Sequence, residues 1–110
     1  MTRLSEYRIM WIMVLFDLPT ETPEDRHVYT VFRKSLQKDG FRMFQFSAYM
    51  RHCASEENAQ VHIERIKKWL PERGHIGIMK FTDKQFGMMQ VFYGRVKDKN
   101  QPDSPQLMLF

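Results

Sequence analysis

The chain has 110 residues, a formal net charge of +4 and a single cysteine. Hydrophobic residues make up 43%, which excludes wholesale disorder, and the length excludes a second large domain or a deep cleft within one subunit. A small basic domain favours phosphate-bearing partners, although charge alone also fits proteins that bind no nucleic acid. Cys53 cannot form an internal disulfide and fits a reducing compartment. No apolar run is long enough to cross a bilayer, so the expected location is the cytoplasm, with no membrane partner.

Residues 9–16 are continuously apolar and predict a central strand covered on both faces. The run stops at Asp17-Leu18-Pro19, because Pro19 cannot continue a central ladder. Thr22 caps a helix that Pro23 opens, and Glu24 and Asp25 favour its positive end. Val28, Phe32 and Leu36 give that helix an apolar face, and Gly40 stops it. Residues 41–51 alternate aromatic and polar side chains and predict one long strand, or two short ones broken near 45–47. Ser55, Glu56 and Glu57 open a second helix whose buried stripe is Ala59, Ile63, Ile66 and Leu70, ended by Pro71. Residues 74–81 predict a strand with Ile76 and Ile78 on one face and Met79 and Phe81 on the other. Thr82 to Gln85 resembles a capped turn, and 88–93 predicts another strand closed by Gly94. Residues 97–106 read as a polar linker, and the apolar tail at 107–110 as an edge strand that docks on a dimer partner.

This order predicts an α+β, ferredoxin-like βαββαβ domain over residues 1–96, with an antiparallel sheet, two helices on one face and an extra C-terminal edge strand from 97–110. Two helices cannot cover both faces of an apolar sheet. A homodimer packed sheet against sheet is therefore expected.

The chemistry narrows by elimination. His27, His52, His62 and His75 show no zinc spacing with one another or with Cys53, and no glycine-rich phosphate loop or nucleophile elbow is present. Asp17 stands out, because it follows the buried strand at a sheet edge. Mg²⁺ takes oxygen ligands and keeps several waters, so two Asp17 carboxylates brought together by a dimer axis would suit it and could polarise a phosphodiester. The alternative is that Asp17 only caps the following turn, accepting backbone N–H bonds. Arg26 and Arg33 share one helical stripe, Lys34 and Lys38 another, and Arg42 flanks the aromatic strand. Such groups neutralise phosphates, or simply form a solvated face.

Phe16-Asp17-Leu18-Pro19-Thr20, Arg33-Lys34 with Leu36, Gly40-Phe41, Gln45-Phe46-Ser47 with Tyr49, and Thr82-Asp83-Lys84-Gln85-Phe86 together resemble the CRISPR-associated protein two family. The first and last of these elements look like the version found beside Cas9-type effectors. The resemblance implies a ferredoxin-like homodimer with Mg²⁺-dependent endonuclease activity on single-stranded RNA or double-stranded DNA. It also implies a role in CRISPR adaptation, the acquisition of spacers. There the dimer would bridge dimers of the integrase, CRISPR-associated protein one, and hold the double-stranded prespacer DNA. Asp17 matches the family's catalytic, metal-binding aspartate; Arg33 falls where the family places a basic helix residue, and Arg26 is a looser match. A stand-alone toxin-like endoribonuclease of the same fold and a purely non-catalytic DNA-binding scaffold remain the competing functions.

Overall fold

Strand β1 (Met10–Asp17) is the axis of the domain. The structure is a computed structural model describing residues 8–97, so the expected docking strand at 107–110 and the linker before it lie outside the described residues. After β1 come α1 (Pro23–Lys38), β2 (Arg42–Gln45), β3 (Ala48–Cys53), α2 (Glu56–Trp69), β4 (His75–Thr82), the short α3 (Asp83–Gly87), β5 (Phe92–Tyr93) and β6 (Val96–Lys97). The main sheet is antiparallel in the order β2-β3-β1-β4, the ferredoxin-like α+β arrangement. No described helix is long and apolar enough to cross a membrane.

Strand alternation divides β1 between two cores. Ile12, Val14 and Phe16 cluster with Phe32 and Leu36 of α1 and Ala59 and Ile66 of α2. Trp11 and Met13 point the other way and cluster with Met50 and Phe86. The second cover therefore comes partly from the chain itself. The Trp11 indole Nε1 donates to Asp83 Oδ1 at 2.7 Å, and its ring centroid lies 4.3 Å from that of Phe86. A capping box between Thr82 and Gln85 starts α3 and holds this lid in place. The expectation of cover on both faces fails at one residue, Leu15, which is 45% exposed.

Other details also depart from the sequence pattern. On α1, Phe32 and Leu36 are buried but Val28 is exposed; Tyr29 packs inward instead. On α2, Leu70 lies beyond the last helical residue and is exposed, while His62 is buried in the stripe. His62 is accommodated by Asp39, whose Oδ2 lies 2.7 Å from Nδ1, and Arg65 donates to the other carboxylate oxygen at 2.6 Å. The aromatic segment forms two strands, β2 and β3, joined by a turn at Phe46-Ser47. Of the strand expected over 88–93, Phe92 and Tyr93 alone are extended, and they pair with β6 in a separate hairpin rather than with the main sheet.

Asp25 links α1 to the approach to β4. It completes the Thr22 capping box and pairs with Arg73. Burial pushes its carboxyl up, but the hydrogen bonds with Thr22 and the Arg73 guanidinium outweigh this and hold it below the ordinary 3.8. A depressed carboxylate stabilises the fold above its unfolded pKa, and that contribution is lost as pH falls through the folded value. Urea denaturation should therefore find wild type more stable than Asp25→Asn at pH 7, with the gap closing as the pH drops below 3.8.

Candidate functional site

Asp17 is the last residue of β1 and pairs in register with His75, the first residue of β4. Alternation from Trp11, Met13 and Leu15 puts its side chain on the sheet face away from α1 and α2. Both Asp17 and His75 are exposed. With Leu15, Phe16, Ser47 and Gly77 they line one shallow groove at the end of the sheet.

Gly74 sets this geometry. Its φ is +104°, and a Cβ there would lie 2.8 Å from the Asp17 carbonyl oxygen and 2.6 Å from Leu18 Cδ2. Only glycine lets the chain pass this close and start β4 directly across from Asp17.

The Asp17 carboxylate makes no hydrogen bond or ion pair among the described residues, so it caps none of the N–H groups in the turn that follows. A carboxylate left in water, with both oxygens unspent, fits a hydrated hard cation. The imidazole of His75 beside it is a poorer ligand for such an ion. Among the described residues no three His, Cys, Asp or Glu side chains gather as a metal cluster.

The cationic candidates lie elsewhere. Arg26, Arg33, Lys34 and Lys38 are all on α1, in the helix layer behind the sheet. At about 1.5 Å rise per residue they spread over roughly 18 Å rather than ringing Asp17. Arg26 donates from Nη1 to the carbonyls of Thr20 and Glu21, each at 3.1 Å, and so braces the loop leaving β1. Arg33 is half-buried, and its Nε is fully buried without a hydrogen-bond partner among the described residues. Lys34 and Lys38 are exposed, and Arg42 is exposed at the start of β2. His75 and Ser47 join Asp17 only through strand register and the β2–β3 turn, and no local motif marks them as its neighbours.

Two further groups are shifted by their surroundings, the buried Cys53 and the half-buried His52. Burial pushes the Cys53 thiol up, beyond what Arg51 offsets. Burial and Arg51 together push His52 down, against a smaller opposing effect of Asp83, so it stays neutral at pH 7.

A four-stranded antiparallel sheet, covered by helices on one face and bearing an exposed carboxylate on the other, defines the class: a small ferredoxin-like domain with an acidic strand end. A family model described as CRISPR associated protein Cas2 matches residues 10–89. A protein of Flavobacterium psychrophilum named CRISPR-associated endoribonuclease Cas2 is 58% identical over 109 residues, covering 99% of this chain and 95% of that protein. Proteins of the same name from Parvibaculum lavamentivorans and Paracidovorax avenae are 46% identical over 92% of this chain and 39% identical over 97% of it, and the matches cover 100% and 99% of those proteins. The chain belongs to the Cas2 family of CRISPR-associated proteins.

The two residues at this strand end should separate cleanly in stability measurements. Asp17→Ala removes an exposed, unbonded group and should change unfolding free energy by less than about 0.5 kcal/mol. Gly74→Ala forces a clash and an unfavourable φ and should cost more than about 1 kcal/mol. Chemical denaturation of both variants checks the pair; a large loss in Asp17→Ala would mean a structural role for the carboxylate.

Proposed function

We propose that this chain works in CRISPR adaptation, in the cytoplasm, as a homodimer that binds nucleic acid and hydrolyses phosphodiesters with Mg²⁺. The observation that carries this reading is the exposed Asp17, unpaired among the described residues, beside exposed apolar residues of the same face. Leu15 is 45% exposed and Met79 49%, and Gly77 lies opposite Leu15 in the ladder. Sheet-to-sheet pairing of two copies would bury this apolar strip and bring two Asp17 carboxylates towards one axis.

In that arrangement the Asp17 oxygens of both copies would hold the cation. When bound, Mg²⁺ neutralises phosphate charge and acidifies a coordinated water. His75 is the other titratable side chain lining the groove, and it would take up the proton of the attacking water. Single-stranded RNA is the favoured substrate, because the relatives are named endoribonucleases and the groove is shallow and open at the sheet end. Double-stranded DNA is the alternative substrate.

A second reading rests on a different observation: the cations of α1 stand away from Asp17. Arg33, Lys34, Lys38 and, in β2, Arg42 would then contact duplex phosphates while the dimer bridges copies of the integrase, CRISPR-associated protein one. The prespacer would be held there without being cut.

Cleavage assays on the intact dimer in Mg²⁺ test the first reading. Asp17→Ala should lower the rate at least about a hundredfold, the scale of losing one essential transition-state contact. Unchanged cleavage by dimeric Asp17→Ala would overturn the metal role. For the second reading, duplex affinity should fall with salt, and each of Lys34→Ala and Lys38→Ala should reduce the log–log slope by about 0.9 if it meets a phosphate. Slopes equal to wild type would remove those lysines from the interface.

A further inference from the structure

The tip of the β2–β3 turn carries a large aromatic where turn chemistry calls for none. Turn tips favour small or polar residues, yet Phe46 stands there 84% exposed. The backbone around it is held in an unusual conformation. Ser47 has φ +63°, the one positive φ at a non-glycine among the described residues. Two contacts pin it: the Ser47 carbonyl accepts from the Phe16 N–H at 3.1 Å, and its hydroxyl lies 3.4 Å from the Tyr29 phenol oxygen. A non-glycine residue held in this region marks a turn whose shape is over-determined by its surroundings.

The pinned turn lays the Phe46 ring on Tyr29, with centroids 6.4 Å apart and planes 26° from parallel. Tyr29 in turn leans on Phe16, at 5.7 Å. The outer face of Phe46 is therefore an exposed aromatic surface with the Tyr29 ring behind it. The next residue, Ser47, lines the same groove as Asp17. Tyr29 also shares its helix face with Arg26 and Arg33, at i−3 and i+4. Together these residues offer a flat apolar ring for a base and, on either side of its support, positive charge for the flanking phosphates.

We infer that Phe46 is a base-stacking residue that seats a nucleobase of a single-stranded nucleic acid next to the Asp17 groove. This rests on the proposed role of the chain as a nucleic-acid phosphodiesterase and adds to it how the strand is held. Phe46 is a positioning residue: it grips a base and leaves the reacting phosphate to Asp17. Stacking does not depend on base identity, because every base has a π-face, so the site orders the strand without reading a sequence. A duplex, whose bases already stack on one another, gains nothing from Phe46.

The full-length dimer in metal-free buffer, where cleavage does not interfere, provides the test. The probe is a single-stranded oligoribonucleotide carrying 2-aminopurine, whose fluorescence is quenched when its base stacks. Wild type should quench the probe on binding. Phe46→Ala should lose the quench and bind about tenfold more weakly, and Phe46→Trp should restore both. An oligonucleotide with abasic sites should bind wild type and Phe46→Ala alike. Duplex affinity should be the same for wild type and Phe46→Ala. No quench with wild type, or an equal quench with Phe46→Ala, overturns the proposal. So does a shift of Phe46→Ala from dimer to monomer in sedimentation, which would make the ring a contact between two copies. Asp17→Ala separates the two ideas: if it still cleaves, the metal role fails while the quench result stands, and if it binds and quenches without cleaving, both hold.

Discussion

The domain depends on burying one strand from both sides while pairing it along both edges. β1 bonds to β3 and β4 over nearly its whole length, and six of its eight residues are buried. A strand in this position cannot move without breaking two ladders and two cores. Each well-buried apolar side chain in it contributes about 1.5–3 kcal/mol. The groove inherits that rigidity, because Asp17 is simply the last residue of the same strand. For the proposed cation role a fixed direction would matter more than burial, and the end of a locked strand supplies one.

Much of this was legible in local signals. Thr22, Pro23 and Gly40 bracket α1 because caps and stops act within a few residues of where they sit. The unbroken apolar run of β1 and its halt at Pro19 likewise needed no tertiary knowledge. Inward faces were harder. Val28 fits the spacing of an apolar stripe, but where α1 rests on the sheet decides which residue turns in, and Tyr29 does. His62 looks out of place in a buried stripe until its partner Asp39, 23 residues earlier, is beside it. At the site, Asp17 was readable as the end of a strand. His75 and Ser47 were not, since only the ladder and the turn bring them to it. The partial cover of the second sheet face by α3 is not legible locally for a similar reason. A five-residue helix after β4 is too short to show an apolar period, yet Phe86 from that helix covers Trp11.

Asp17 and the exposed lysines of α1 lie on opposite sides of the sheet. One presents a lone acid beside bare apolar residues; the other presents charge of the opposite sign on a helix. On the proposed readings, holding a duplex on one side and cutting a strand on the other would be distinct tasks of one small fold. The turn at Phe46-Ser47 lies where the two sides meet, tied by hydrogen bonds to both β1 and α1.

The lid formed by α3 has a consequence for assembly. By sealing Trp11, Met13 and Met50, it leaves the far end of that sheet face, around Leu15, Gly77 and Met79, as the bare remainder. In the proposed dimer, α3 of each copy would flank this face and limit sliding. The side chains at 15 and 79 would then serve as shims: their bulk, rather than any charge, would set how far apart the two acidic strand ends stand.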